Sequence, residues 1–349
     1  MTAQTLPAAP PDDISLRPVP WRRMTGIIWR QHRFALLCMV AVLGVAAVLL
    51  WIAGITLHSR YATALACHPA SSPACQGAVL AFNGSYDFLA NGGILQPLPV
   101  LIGAFLGGPL LAREMETGTF RYAWTQGFGR RRWALAKLVS LAVAVMVPAL
   151  LFSLELYWYF QPYFATGSQS LGLNQMTPFI PGLFDVHGVV FAAWTLAAFT
   201  IGALAGMLIR RVVPAIAVTL AVYAGLAFAV AAFLRGHYLT PLVTSSPDVP
   251  GNAWIMSQWW TKGGSFAFGG WPPDSVLHRL CSSVPAGPYG KGSPQAFVQC
   301  LSQYGYTQWT SYHPASRFWP VQWIESGWLL ALSATCVAAS VWLVRRRAA

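Results

Sequence analysis

Apolar residues occur in six long runs along the chain, and more polar segments separate most of them. Each run is close to the roughly 20 residues that an α-helix needs to cross a bilayer. The runs are Phe34–Leu57, Ile94–Ala112, Ala134–Trp158, Val186–Ile209, Val212–Leu234 and Ser326–Val344. The pattern predicts an all-α polytopic membrane protein with six transmembrane helices.

An amphipathic segment, residues 21–33, precedes the first run. At about 100° per residue its apolar and basic positions separate into two faces. The apolar face holds Trp21, Met24, Ile27 and Ile28, and the basic face holds Arg22, Arg23, Arg30 and Arg33. Anionic lipid headgroups attract such a helix into the membrane interface. We therefore expect an N-terminal interfacial helix at 21–33, after a disordered tail rich in Pro and Ala at 1–20. No cleavable signal is predicted, because the first run is long enough to remain as a span.

The chain is 56% hydrophobic and only 9% charged, yet its formal net charge is +12. Such basicity can indicate nucleic-acid binding, so the placement of the charges decides the matter. With both termini cytoplasmic, most of the 22 Lys and Arg lie on the inner side of the membrane, and Arg235 is one of the few outside. The positive-inside rule thus accounts for the basicity. We expect a multi-pass plasma-membrane protein without a nucleic-acid partner.

The longest segment between runs, residues 235–324, is placed outside the cell by this orientation. It holds seven tryptophans, which suit an outer-leaflet surface. A structureless loop of this length is improbable. Ser293-Pro294 predicts a short helix to about Gln303, facing another that starts at Asp274. We treat residues 21–349 as a single transmembrane domain that includes this outer region.

Four cysteines lie in the outer segments, two in each. Cys67 and Cys75 follow the first run, and Cys281 and Cys300 lie in the 235–324 region. In an oxidising exterior this arrangement indicates two local disulfides, with pairing across the two segments left open. Zinc binding is a weaker alternative, because neither pair has C-x-x-C spacing.

Acidic residues near the membrane are rare, and Glu155 is the only one placed within a run. A carboxylate inside a membrane is costly and suggests function by default. Aromatic residues 157–159 mark the outer interface just beyond it, so a structural role at the mouth of the pathway is favoured over cargo or proton binding. Glu325, directly before the last run, is the second candidate at the mouth. His187 lies close to Asp185, a spacing more typical of a local hydrogen bond than of a catalytic pair.

Two small-residue motifs permit close helix packing. They are Gly103-x-x-x-Gly107 in the second run and Gly202-x-x-x-Gly206 in the fourth. The motifs fit packing within one subunit, and dimerisation is the alternative.

The connection from Arg113 to Lys137 concentrates charge between two apolar runs. Glu114 and Glu116 continue the second run into water, and Gly118 can end that helix because glycine adopts left-handed backbone angles. Thr119 can then cap a short helix, Phe120 to Gln126.

This connection resembles the coupling helix of ABC-2 type ABC transporter permeases. In that family an E-x-G-T motif after the second span leads into a basic, aromatic segment. The matching residues here are Glu116, Gly118, Thr119, Arg130, Arg132, Trp133 and Lys137. The segment Tyr312–Trp328 resembles the entry to the last span in actinobacterial members.

The resemblance implies an ABC-2 exporter-like fold in which residues 113–133 contact a separate ABC ATPase subunit. The implied coupling residues are Glu114, Glu116, Gly118, Thr119, Phe120, Arg121, Tyr122 and Trp124. It also implies a second permease subunit, in a homodimer or heterodimer, and export driven by ATP.

No ATP site is visible in the chain itself. Residues 287–293 resemble a P-loop, but the spacing from glycine to lysine is too short. We therefore expect no enzyme activity, cofactor or metal in this chain, with ATP and Mg²⁺ bound by the partner. The alternative is an immunity or sensing subunit without transport. A membrane enzyme is a third possibility, which lacks the cluster of polar residues it would need.

Overall fold

Six helices are long and apolar enough to cross a membrane in the described part of the chain. The computed structural model describes residues 20–69, 72–85, 95–118, 130–165, 173, 176–246, 249–282, 284 and 294–346. Spans one to six are Trp21–Ala66, Leu98–Thr117, Arg130–Phe164, Val190–Ile209, Val212–Ala229 and Phe318–Arg346. Span five continues as a π-helix, Val230–Leu234, and a 3₁₀ turn, Arg235–His237. The prediction of six spans is confirmed, while the tail at 1–19 lies outside the described residues.

Span one is a single helix of 46 residues that begins at Trp21. Residues 21–33 are helical, as predicted, but they are continuous with span one, because the helix passes residue 33 without a break. Its sequence offers no proline or capping signal there, so nothing ends the backbone hydrogen-bond ladder. The position of residues 21–33 at the membrane interface stays a prediction. Of the predicted apolar face, Met24 and Ile28 are buried, whereas Trp21 and Ile27 are exposed.

The glycine motifs of spans two and four pack against each other. A Cβ built on Gly103 would lie 2.3 Å from the Cβ of Ala198, and one on Gly107 would lie 2.2 Å from the carbonyl oxygen of Phe199. On the facing helix, a Cβ on Gly202 would meet the Gly108 nitrogen at 2.8 Å. Only hydrogen leaves room for this approach of two backbones. The interpretation that the motifs pack within one subunit is confirmed.

The outer region between spans five and six contains a four-stranded antiparallel sheet, so the prediction of an all-α fold is wrong. Its strands are β1 (Leu242–Thr244), β2 (Trp254–Lys262), β3 (Ser265–Gly269) and β4 (Tyr306–His313), in the order β1-β4-β2-β3. Gly263 and Gly264, with φ of 58° and 82°, form the two-residue turn between β2 and β3. Such turns need positive φ at both positions, and aromatic and β-branched residues favour the flanking strands. Four of the seven tryptophans that we assigned to a lipid surface, Trp254, Trp259, Trp260 and Trp309, therefore lie in strands.

Two short helices cover one side of this sheet, Asp274–Leu280 and Pro294–Gln303. They confirm the two predicted helices, and Cys281 is the residue directly after the first one. The disulfide Cys281–Cys300 joins them, and Leu277 and Leu301 pack with Trp260 of β2 in a small core. Ser293, the predicted cap, lies outside the described residues.

The second disulfide, Cys67–Cys75, lies at the outer end of span one. Cys75 belongs to a helix, Pro73–Asn83, in a segment that we had treated as a loop. Ser72 caps this helix by accepting a hydrogen bond from the Cys75 amide at 3.2 Å. Both local pairings predicted from the sequence are confirmed.

Candidate functional site

The inner end of span two terminates as the sequence predicts. Gly118 follows the last helical residue with φ of 72°, a left-handed conformation that costs glycine nothing. Two residues earlier, Glu116 points to span five, where its Oε2 accepts a hydrogen bond from the Val212 amide at 3.3 Å. A carboxylate at a helix N-terminus satisfies an unpaired amide and favours the helix dipole. Glu116 thus ties the end of span two to the start of span five.

A second contact holds the end of span two against span three. Glu114 pairs with Lys137, whose side chain is 2% exposed. The ammonium group also lies 5.4 Å from the centre of the Trp133 ring. Because Lys137 lies within a buried helix surface, an unpaired ammonium there would be costly, and Glu114 neutralises it. The end of span two is therefore bonded to both span three and span five.

Much of the connection itself lies outside the described residues. This applies to the predicted helix Phe120–Gln126 and to the expected coupling residues Thr119, Phe120, Arg121, Tyr122 and Trp124. The described contacts of Glu114 and Glu116 are internal, so these two residues position the connection within the chain.

At the opposite, outer end of the bundle, three charged residues meet. Arg235 is 2% exposed and forms a bidentate pair with Glu325, from Nε to Oε2 at 3.0 Å and from Nη2 to Oε1 at 2.8 Å. Nη2 also donates to Asp185. The residues come from the end of span five, from span six and from the turn before span four. Three distant segments thus share one guanidinium group.

Neighbouring groups complete this outer charged cluster of Asp185, Arg235 and Glu325. Trp194 donates its indole N–H to Glu325 Oε1 at 3.0 Å, and Gln96 donates to Asp185 at 3.5 Å. The guanidinium carbon lies 4.1 Å from the centre of the Phe184 ring. Arg235 Nη1 is buried and has no hydrogen-bond partner among the described residues.

Two carboxylates and one guanidinium give the cluster a formal charge of −1. Burial raises the pKa of Asp185 to about 6, the attraction of Arg235 opposes the rise, and the charge of Glu325 adds to it. Protonation of Asp185 would leave a neutral Arg235–Glu325 pair. The cluster can therefore take up one proton near pH 6 and keep its central ion pair.

Span four is joined to span six beside this cluster. The Gln322 side chain accepts a hydrogen bond from the Val190 amide at 2.9 Å and donates to the carbonyl groups of Phe184 and His187 at 3.2 and 3.1 Å. It thereby satisfies a free amide at the start of span four.

His187 and Asp185 bind different partners, so the expected local hydrogen bond between them does not form. His187 is fully buried, and its Nδ1 contacts the carbonyl oxygen of Leu183. Its ring stacks on Phe318 with 4.9 Å between ring centres. Burial lowers the pKa of His187 to about 4, so the ring is neutral at physiological pH.

Among the described residues, no three or more His, Cys, Asp or Glu side chains come together in a way that could hold a metal ion.

A comparison with known families decides the class of the chain. The family model described as ABC-2 membrane transporter related matches residues 40–235, which is more than half of the 349 residues. The chain belongs to this family. No curated protein and no solved structure matches the chain.

The ABC-2-related match extends from within span one to Arg235. It includes the inner contacts of Glu114 and Glu116 and two members of the outer charged cluster. The sheet region and Glu325 lie beyond it. The family and the six spans together make this chain a multi-pass membrane protein of the ABC-2 permease type.

The two predicted mouth residues of this ABC-2-related chain lie in different surroundings. Glu325 is fully buried in the outer charged cluster, within span six. Glu155 is half-buried beside an open groove of about 410 Å³ that Trp51 and Trp158 also line, between spans one and three. The structure does not bring the two carboxylates together.

The prediction that Glu155 is the only acidic residue within a span is wrong. Span six starts at Phe318, eight residues before the predicted Ser326, and so includes Glu325. Polar and aromatic residues 319–325 lowered the apparent hydropathy there, although the backbone is already helical. Arg235 at the end of one span and Glu325 near the start of the next were the only sequence signal for this pair, and their separation of 90 positions hid it.

Proposed function

We propose that this chain is the permease subunit of an ATP-driven ABC exporter in the plasma membrane. It forms the cargo pathway with a second permease subunit, and a separate ABC ATPase subunit binds ATP and Mg²⁺. In this proposal both termini and the connection between spans two and three are cytoplasmic, which the positive-inside rule supports.

The observation that supports the proposal is that the end of span two, which leads into this connection, is bonded to spans three and five inside the region that matches the family. Gly118 sets the direction in which the chain leaves span two, Glu116 bonds span five, and Glu114 bonds Lys137 of span three. A force that the ATPase exerts on the end of span two would therefore reach spans three and five through these two contacts.

Substitutions at Glu116 and Gly118 test the proposal. Gly118→Val places a β-branched residue at φ of 72°, which costs on the order of 1–2 kcal/mol and misdirects the connection. Glu116→Lys removes the acceptor for the Val212 amide and adds a positive charge at a helix N-terminus. We expect both variants to insert normally and to lose most of the ATP hydrolysis of the complex.

The measurement uses the tagged full chain, purified from its own membranes with the co-purifying ATPase and placed in nanodiscs. Gly225→Val is the matched control, because its Cβ would meet nothing within 4 Å. Glu116→Gln keeps an acceptor oxygen, so it should retain activity if Glu116 acts through span five.

Normal hydrolysis in both severe variants, Glu116→Lys and Gly118→Val, would contradict the proposal. Coupled hydrolysis without movement of any cargo would favour the sensing subunit.

A further inference from the structure

An apolar groove of about 710 Å³ lies between spans three, four and six. Its wall on span three runs from Arg131 to Met146, and its wall on span six runs back from Leu330 to Arg345. Fifteen residues of helix rise about 22 Å, which exceeds the roughly 15 Å of hydrocarbon in one leaflet. The groove is therefore long enough to cross one leaflet, and both arginines lie at the same end of it.

Away from the arginines, the walls of the groove offer nothing for a polar ligand to bind. Thr200 and Ser333, the two hydroxyl side chains among its lining residues, donate to carbonyl oxygens of their own helices at 3.1 and 2.8 Å. The remaining walls are aliphatic, and exposed Val139 and Val143 are typical of them. Along its length the groove fits hydrocarbon.

The arginine end of the groove has the opposite chemistry. Arg131 and Arg345 are both exposed, and neither has a carboxylate within ion-pair distance among the described residues. Trp342 lines the groove beside them, and the guanidinium of Arg346 lies 4.4 Å from the centre of its ring. Two guanidinium groups without a carboxylate partner at one end of an apolar groove favour an anion with several acceptor oxygens.

We propose that this groove binds one anionic phospholipid of the cytoplasmic leaflet. The headgroup phosphate accepts hydrogen bonds from Arg131 and Arg345, and an acyl chain lies along the aliphatic walls. Charge complementarity selects this occupant over a second copy of the chain, whose apolar spans would leave both arginines unpaired. The choice of leaflet rests on the orientation proposed above, whereas binding itself does not depend on transport.

Retention of defined lipids by the purified full chain tests this proposal by native mass spectrometry. The chain is exchanged into detergent micelles that contain equal amounts of dioleoyl phosphatidylglycerol and dioleoyl phosphatidylcholine. We expect wild type to retain the anionic lipid preferentially, and Arg131→Gln combined with Arg345→Gln to reduce its retention by roughly tenfold or more. Arg22→Gln with Arg23→Gln, two exposed arginines of span one, is the matched control and should retain it normally.

Filling the groove gives an independent test. Ala338→Trp and Val143→Trp place an indole ring on opposite walls, and each should displace the lipid while the arginines remain. Equal retention of the neutral lipid by wild type would overturn the proposal, as would normal retention in whichever filled variant folds. If filling instead converts dimers to monomers and leaves lipid retention unchanged, the groove is an interface between copies and the proposal is wrong.

Discussion

Arg235 is the residue on which most of the outer polar contacts converge. It neutralises Glu325 and bonds Asp185 in an environment with almost no solvent access. Removing one partner of a buried ion pair leaves an uncompensated charge, which costs more than the pair itself contributes. Removal of Arg235 leaves two such charges.

We expect Arg235→Met to lower the free energy of unfolding by about 3–5 kcal/mol. The measurement is the thermal midpoint of the purified chain in detergent. Arg279→Met, at an exposed position of the outer region, is the control and should change little. Equal midpoints for the two variants would show that the outer charged cluster is not what holds the outer ends of spans five and six.

Asp185 makes the stability of this cluster depend on pH. Because its folded pKa is raised from 3.8 to about 6, the folded state binds the proton more tightly than the unfolded state does. This contribution to stability is complete below about pH 4 and is lost as the pH rises through 6. His187 acts in the opposite direction, since its lowered pKa favours folding as the pH rises from about 4 to 6.5.

Asp185→Asn should therefore remove the decrease in stability that wild type shows as the pH rises through 6, and leave the opposite effect of His187. At pH 7.5 we expect the variant to be as stable as wild type or more stable, because it removes the excess buried charge. At pH 5 protonation of Asp185 stabilises wild type, so its thermal midpoint should rise relative to that of the variant. The pH dependence that His187 causes is the same in both proteins and cancels in the comparison. A constant difference between the thermal midpoints at the two pH values would refute the assignment.

At the residue scale the sequence predicts some of these features and misses others. Gly118 and the four paired cysteines follow from local chemistry, and the structure agrees with them. Arg235 was placed outside the membrane as an ordinary loop arginine, because its two carboxylate partners are 50 and 90 positions away in the chain. Burial of a charge depends on partners that only the tertiary structure brings together.

At the scale of elements, the contact of spans two and four is the closest approach of two backbones that the glycines reveal. We expect Gly107→Val to lower the free energy of unfolding by about 2–3 kcal/mol, because its side chain would collide with the Phe199 carbonyl group. Gly225→Val introduces the same residue into span five without a collision and serves as the control. Thermal midpoints that fall equally would mean that helix propensity, rather than the helix contact, accounts for the loss.

Elements of the membrane region are easier to predict than those outside it. A run of apolar residues indicates a helix regardless of its neighbours, because lipid forces the backbone to satisfy its own hydrogen bonds. In the outer region Trp254–Lys262 has the aromatic content of an interfacial belt as well as that of a strand. The diglycine at 263–264 was the local signal for a hairpin, and it resolves the ambiguity only when the strands on both sides are recognised.

At the scale of the whole molecule, the proposed orientation can be tested with a thiol reagent that does not cross membranes. Cys38 and Cys336 are first replaced by alanine. Two separate variants of this chain then carry one new cysteine each, Ser265→Cys at the outer hairpin and Arg22→Cys at the inner end of span one. We expect labelling of the first in intact cells and of the second only after permeabilisation. The reverse pattern would invert the topology and place the disulfides in the cytoplasm.

Span one has a mechanical consequence that follows from its length. Its 46 residues rise about 69 Å, more than twice the roughly 30 Å of bilayer hydrocarbon. The inner end contacts span three, where Arg132 lies 5.1 Å from the centre of the Trp21 ring, and the outer end leads directly into the Cys67–Cys75 disulfide. One continuous helix thus joins the contact with span three to the disulfide. If the helix tilts by 10° about its midpoint as a rigid body, each end moves by about 6 Å. A small displacement at the start of span three would then shift the disulfide-linked helix at the other end of span one.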